Sequence, residues 1–153
     1  HVAGDFIQYS FLDRASDERQ YCSPGVDLPI CCILRSKYGT YPEYHTSLDN
    51  LSFISPKGLG ESYNCFRYSI ICFEHNVRPK ATVLCEPQMG KRNLYPTLGV
   101  RENFKDTDIM LDLLAYADGG TDLLKISEII NQPMWQLLDY VRILKEHKLI
   151  ELV

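Results

Sequence analysis

Several things are missing from this 153-residue sequence, and each absence narrows the reading. No apolar run approaches the roughly 18 residues that a membrane-spanning helix needs, so no transmembrane segment is expected. The first ten residues, HVAGDFIQYS, have neither a basic stretch nor an apolar one, so they do not read as a secretory leader. They also lack an initiator methionine, and the chain reads as processed, trimmed or a fragment. No C-x-x-C pair occurs among the six cysteines, which removes the local signature of a zinc knuckle. Cys31, Cys32, Cys72 and Cys85 sit in apolar runs (LPICCIL, YSIICF, ATVLC) and read as small buried hydrophobes. Free thiols and a cytoplasmic setting are therefore expected.

What is present is ordinary for a globular protein: 45% hydrophobic and 24% charged residues. Its distribution is uneven. Residues 1–104 carry 11 basic and 11 acidic side chains, whereas residues 105–153 carry 5 and 9. The first stretch is rich in Tyr, Pro, Cys and turn residues, and the second is Leu/Ile-rich with helical spacing. The boundary is expected in LGVRENFKDTD, which gives domains at 1–104 and 105–153.

In the first domain, Pro24-Gly25 marks a turn in a loop running from Ser16 to Pro29. ICCIL, Ile30 to Leu34, reads as a strand that is apolar on both faces, as in the middle of a covered sheet. A long loop, RSKYGTYPEYHTSLDN, follows; long ordered loops beside buried strands are where function concentrates. Ser55 caps a helix with Pro56 in its first turn, and Tyr63, Phe66, Ile70 and Phe73 give it an apolar face. The helix should end near His75-Asn76, and KATVLCE then reads as a short strand.

The second domain reads as helix, helix, tight turn, longer helix and strand. DTDIMLDLLAYAD is capped by Asp106 or Thr107, TDLLKISEIIN by Thr121, and PMWQLLDYVRILKEHK begins with Pro133. LIELV is a strand. This is the order of a winged helix-turn-helix, with the second wing strand missing because the chain stops at Val153. A DNA reader needs a basic footprint, and this segment is net acidic; its third helix offers Gln132, Trp135, Gln136, Asp139 and Arg142. Nucleic acid is therefore not the expected partner. Trp135 reads either as a protein-contact residue or as a core anchor of the helices.

The sharpest local feature is YPEYHTSLDN. Its His45 could bind a metal, act as a base or be an ordinary surface residue. Asp49 could orient the imidazole or cap a turn. Upstream, SDERQY supplies Asp17, Glu18, Arg19 and Tyr21. Arg19 has the chemistry to hold a carboxylate, and a loop-stabilising ion pair is the alternative.

The stretch from Ser16 to Asn50 resembles the C-terminal part of the zinc aminopeptidases that use two co-catalytic zinc ions. Ser16 and Asp17 match an S-D-H motif, Leu28 and Pro29 a Gly–aliphatic–Pro step, and Tyr44, His45, Thr46, Asp49 and Asn50 a motif close to Y-H-T-x-x-D-[TN]. Glu18 stands where the family often has histidine, and Asp27 where it has glycine. SDERQYCSPG, YPEYHTSLDNLSFI and CEPQMGKRNLYPTL are most similar to bacterial aminopeptidase-like proteins that end in a winged helix and are linked to surface-polysaccharide gene clusters. The resemblance implies an α/β fold: the C-terminal piece of a zinc-aminopeptidase-like sheet domain, followed by a mainly helical winged-helix module. It implies zinc as cofactor, His45 as a ligand, and hydrolysis of a peptide or related amide by metal-activated water. Asp17, Glu18, Arg19, Tyr21, Tyr44 and Asp49 would lie around the metal or on the substrate side. The remaining ligands of that family lie upstream of the matched region, so the upstream part of the same protein is an expected partner and this chain alone should be inactive. A homo-oligomer, a regulatory or protein-interaction module, and a non-catalytic relative in polysaccharide biosynthesis are the other readings.

Overall fold

In a computed structural model of the chain, residues 4–95 and 104–153 are described, the side chain of Phe104 excepted. The chain divides into two compact units, His1–Phe66 and Arg67–Val153. The division expected at 104/105 falls inside the second unit; of the proposed linker LGVRENFKDTD, residues 98–103 lie outside the described residues and the rest belongs to a helix, Phe104–Ala115.

The first unit is built from turns. A 3-10 turn, Phe11–Asp13, is capped by the Ser10 hydroxyl, which accepts from the Leu12 amide. Helix α1, Glu18–Tyr21, is a single helical turn. Residues 28–34 form no helix or strand, and the Ile30 amide turns back to donate to the Leu28 carbonyl. The buried strand expected at ICCIL is thus not realised: Ile30, Ile33 and Leu34 are exposed, as are Cys31 and Cys32. An extended run that is apolar on both faces needs a neighbouring strand on each side and a layer above and below. The described part of this unit supplies neither. Every buried apolar residue among those described lies at Pro79 or beyond.

Helix α2, Pro56–His75, crosses the division. Ser55 Oγ accepts from the Gly58 amide at 3.1 Å, so the Ser-Pro start works as read from the sequence. Its stripe of Tyr63, Phe66, Ile70 and Phe73 is exposed.

The second unit has a true core. Helices α3 (Phe104–Ala115), α4 (Leu123–Ile129) and α5 (Met134–Glu146) enclose Leu113, Leu123, Ile126, Leu137 and Leu144, all fully buried. Burying each such side chain contributes about 1.5–3 kcal/mol. The caps differ from expectation by a residue or two. Asp122, not Thr121, caps α4, accepting from the Lys125 amide at 2.9 Å. Asp106 and Thr107 lie inside α3, where the buried Thr107 hydroxyl donates to the Leu94 carbonyl.

The wing is not missing a strand. β2, Ile150–Leu152, pairs antiparallel with β1, Pro79–Ala81, in the register Pro79–Leu152, Lys80–Glu151 and Ala81–Ile150. β1 also forms a bridge on its other side, Lys80 to Asp118. The Ala81 amide donates to Ala117 and Gly119 donates to Pro79, while Thr82 donates to Leu149 and Val153 to Arg78. β1 is therefore the middle of three rungs. The strand expected after β2 is supplied instead from before the three helices. Pro79 fits there because it is needed only as an acceptor and opens the strand. The rest of KATVLCE is bent rather than extended, with Leu84 almost fully exposed.

Candidate functional site

The loop carrying His45 is a succession of turns held by its own polar side chains. Thr46 Oγ1 donates to the Glu43 carbonyl and accepts from the Leu48 amide; Asn50 Oδ1 accepts from the Ser52 amide and hydroxyl. Aromatic rings fill the loop. Tyr41 stacks on Phe53 and meets Tyr44 edge-on, with centroids 5.7 and 5.8 Å apart. The Tyr44 ring stacks on the His45 imidazole at 4.0 Å, and His45 itself is held at φ = +59°. A non-glycine residue in that left-handed region is uncommon and costs energy that its surroundings must offset. Here the stacked rings do so, and the imidazole is left exposed on the surface.

The SDERQY stretch is joined to this loop through Tyr38. Glu18 is one of three buried polar residues found among those described, and the most densely bonded carboxylate. Its Oε1 accepts from the Ala15 amide at 2.9 Å and the Ser16 amide at 3.2 Å; its Oε2 accepts from the Cys32 thiol at 3.0 Å. The Tyr38 hydroxyl lies 3.2 Å from Glu18 Oε1 and 3.3 Å from the Asp13 carbonyl. The Tyr38 ring is 6.2 Å from that of Tyr44. The Cys32 thiol, followed by the two amides, holds the Glu18 carboxyl down to about 2. The same contact pushes the Cys32 thiol up to about 11. Loss of water around the Tyr38 phenol, then its bond to Glu18, raises it as well.

The remaining expected site residues are exposed. Asp17 opens α1 without a side-chain cap bond, Arg19 and Tyr21 lie on α1, and Asp49 lies in the His45 loop. Among the described residues, Asp17, Arg19 and Asp49 form no side-chain hydrogen bond or ion pair, and Asp49 does not bond the imidazole. No three His, Cys, Asp or Glu side chains among the described residues gather closely enough to hold a metal ion. The donor set present here therefore does not by itself fit a pair of zinc ions. Cys32 and Tyr38 were not legible as partners of Glu18 in the sequence; they lie 14 and 20 residues away, with no periodic signal joining them.

In the second unit, the exposed face of α5 is closed upon itself. Arg142 pairs with Asp139 and Glu146, each at 3.4 Å. Trp135 stacks on Tyr68 of α2 with centroids 4.2 Å apart, so it is half-buried rather than projecting. No described helix is long and apolar enough to cross a membrane.

Residues 77–152 match a family described as winged helix-turn-helix. Residues 1–76 match a family described as a domain of unknown function, DUF4910. The chain is 37% identical over 133 residues to a Clostridium acetobutylicum protein provisionally named for polysaccharide biosynthesis, with an aminopeptidase-like domain. That match covers 83% of this chain and 30% of the relative. A crystal structure of a protein provisionally named as a peptidase, also from Clostridium acetobutylicum, superposes with a TM-score of 0.78 and 33% identity. It is matched over 94% of this chain and 31% of its own. The chain thus spans about a third of the length of each relative.

Proposed function

We propose that this chain is the C-terminal share of a zinc-dependent, aminopeptidase-like hydrolase acting on a peptide or related amide bond. His45 contributes one metal ligand; the others come from the upstream part of the same protein. The observation that carries the reading is the likeness, over 94% of this chain, to a protein named as a peptidase. The exposed imidazole, at a left-handed backbone position and stacked on Tyr44, and the exposed apolar run at Leu28–Leu34 support it. Zinc in the complete protein would supply a Lewis acid for hydrolysis. The name of the first relative makes a sugar-linked amide one candidate substrate.

The test is elemental mass spectrometry on the complete protein and its His45→Ala variant, beside the 153-residue chain. Near-stoichiometric zinc, lost in the variant and absent from the 153-residue chain, is expected. Zinc unchanged by His45→Ala, or chelator-sensitive aminopeptidase activity from the 153-residue chain alone, would sink the reading.

A second reading concerns the winged-helix unit, which we propose packs against protein rather than reading nucleic acid. Its support is the pairing of Arg142 with two acids and the docking of Trp135 on Tyr68. A gel shift at low salt, where non-specific binding is strongest, tests it. Retarded DNA there would overturn it.

A further inference from the structure

Glu18 is chemically out of place. A carboxylate is rarely buried without a cation, and among the described residues none is bonded to this one; its charge is met by two amides, a thiol and a phenol. Such an arrangement fixes its partners as firmly as it is fixed. Two of the donors are backbone amides of its own turn, so Glu18 is anchored locally. The other two reach across the unit. The Tyr38 hydroxyl donates to the pair formed by Glu18 and the Asp13 carbonyl, which leaves the phenol ring little freedom to rotate. Tyr44 packs beside that ring at 6.2 Å, within the range of aromatic pairs, and His45 stacks on Tyr44 at 4.0 Å. Tyr41 meets Tyr44 edge-on and is itself stacked on Phe53.

We propose that Glu18 is a positioning residue for His45, acting through the Tyr38 hydroxyl, the tilted contact of the Tyr38 and Tyr44 rings, and the stacking of Tyr44 on the imidazole. This deepens the reading of His45 as a ligand and, for its functional consequence, rests on it. A metal-binding imidazole is ordinarily oriented by a hydrogen bond to its second nitrogen. Among the described residues His45 makes none, and its orientation is set by ring stacking, while the buried carboxylate holds the stack from its far end. The acid at position 18, which stands where the resembling family often has histidine, then has a defined task. It neither binds metal nor touches substrate; it holds the platform on which the ligand lies.

The experiment uses the complete protein labelled with 13C at histidine Cε1, with the His45 resonance assigned by His45→Ala. Stacking on Tyr44 displaces that resonance from the free-imidazole position. Tyr38→Phe keeps the ring and removes the hydroxyl; Glu18→Ala removes the anchor; Glu18→Gln keeps the shape and the acceptor for Tyr38. The His45 resonance should move toward the free-imidazole position in Tyr38→Phe and Glu18→Ala and stay nearer the parent in Glu18→Gln. His75 and His147, which lie in the second unit, should not move. Zinc affinity should weaken about 10-fold in Tyr38→Phe, the low end for loss of an orienting partner. A His45 resonance unmoved in Tyr38→Phe overturns the proposal, even if Glu18→Ala fails to fold. Should the parent protein hold no zinc, the reading of His45 as a ligand fails, while the resonance shifts still decide the role of Glu18.

Discussion

If β1 is the middle rung of the wing, breaking its inner edge should destabilise the whole second unit, although β1 lies outside the helix-turn-helix sequence. Ala81→Pro is the sharpest perturbation. The Ala81 amide donates to the Ala117 carbonyl at 2.7 Å, and Ala117 is 5% exposed. Proline deletes the donor and leaves a buried carbonyl without a partner, which costs about 1–3 kcal/mol. Crowding by the ring in a middle strand adds to that. We therefore expect a loss of about 2–3 kcal/mol. The assay is urea unfolding followed by fluorescence of Trp135, the sole tryptophan, which stacks on Tyr68 and so reports on this unit. With a slope of about 1–3 kcal/mol/M, the midpoint should fall by about 0.7–3 M. Glu151→Ala is the control. It removes only the Lys80–Glu151 ion pair, at 3.0 Å between half-exposed side chains, and an exposed pair contributes about 0–1 kcal/mol. A midpoint for Ala81→Pro no lower than that of Glu151→Ala would refute the placement of β1 at the centre.

Two further predictions concern the Glu18 cluster. The Cys32 thiol is raised from an ordinary 9.0 to about 11, so at neutral pH its thiolate fraction is about a hundredfold below that of an unperturbed cysteine. Iodoacetamide should label Cys32 far more slowly than a reference peptide, although the residue is exposed, and Glu18→Gln should speed the labelling; equal rates in parent and variant would sink the assignment. The Glu18 carboxyl lies at about 2 against an ordinary 4.5. A folded value below the unfolded one stabilises the cluster fully above 4.5, and that contribution is lost as pH falls toward and through about 2. Hydrogen-exchange protection of the Ala15 and Ser16 amides should therefore persist below pH 4.5 and vanish near 2, and loss of protection already at 4.5 would show that the bonds are not made.

The elements that could be read from the sequence are those whose cause is local. The Ser55-Pro56 start and the end of α2 near His75 follow from capping chemistry and the proline at 79, and the helices of the second unit follow from their apolar spacing. The choice between Thr121 and Asp122 as cap does not, because both have the chemistry and only the chain path decides. What was missed is non-local. The β1–β2 pairing joins residues about seventy positions apart, and the end of the chain at Val153 concealed that a strand before the helices fills the vacant rung. ICCIL shows the converse. Its composition encodes a doubly covered strand, and the described part of the first unit leaves it outside any sheet and exposed. The pattern describes an environment that this chain's own described residues do not provide.

The two units therefore differ in kind. The second has a closed apolar core and a three-rung wing completed from its own sequence, so its fold is determined by residues already in hand. The first holds its shape by turns, a buried carboxylate and stacked rings, while Leu28, Ile30, Ile33, Leu34, Leu51 and Phe53 remain exposed. That division of forces is what the proposed reading, a piece of a larger domain, requires. Polar bonds and aromatic contacts suffice to shape the His45 loop locally, whereas the burial that would make the loop rigid comes from apolar surface still to be covered. On the proposed reading the position of His45 is specified within the chain through Glu18, Tyr38 and Tyr44, and an upstream part of the protein would contribute the stability of that position. Added upstream chain should then slow hydrogen exchange across residues 28–34 by orders of magnitude, as expected for a segment passing from local opening to global unfolding. Exchange there that is unchanged by the added chain would mean that the run is an exposed loop in the complete protein too.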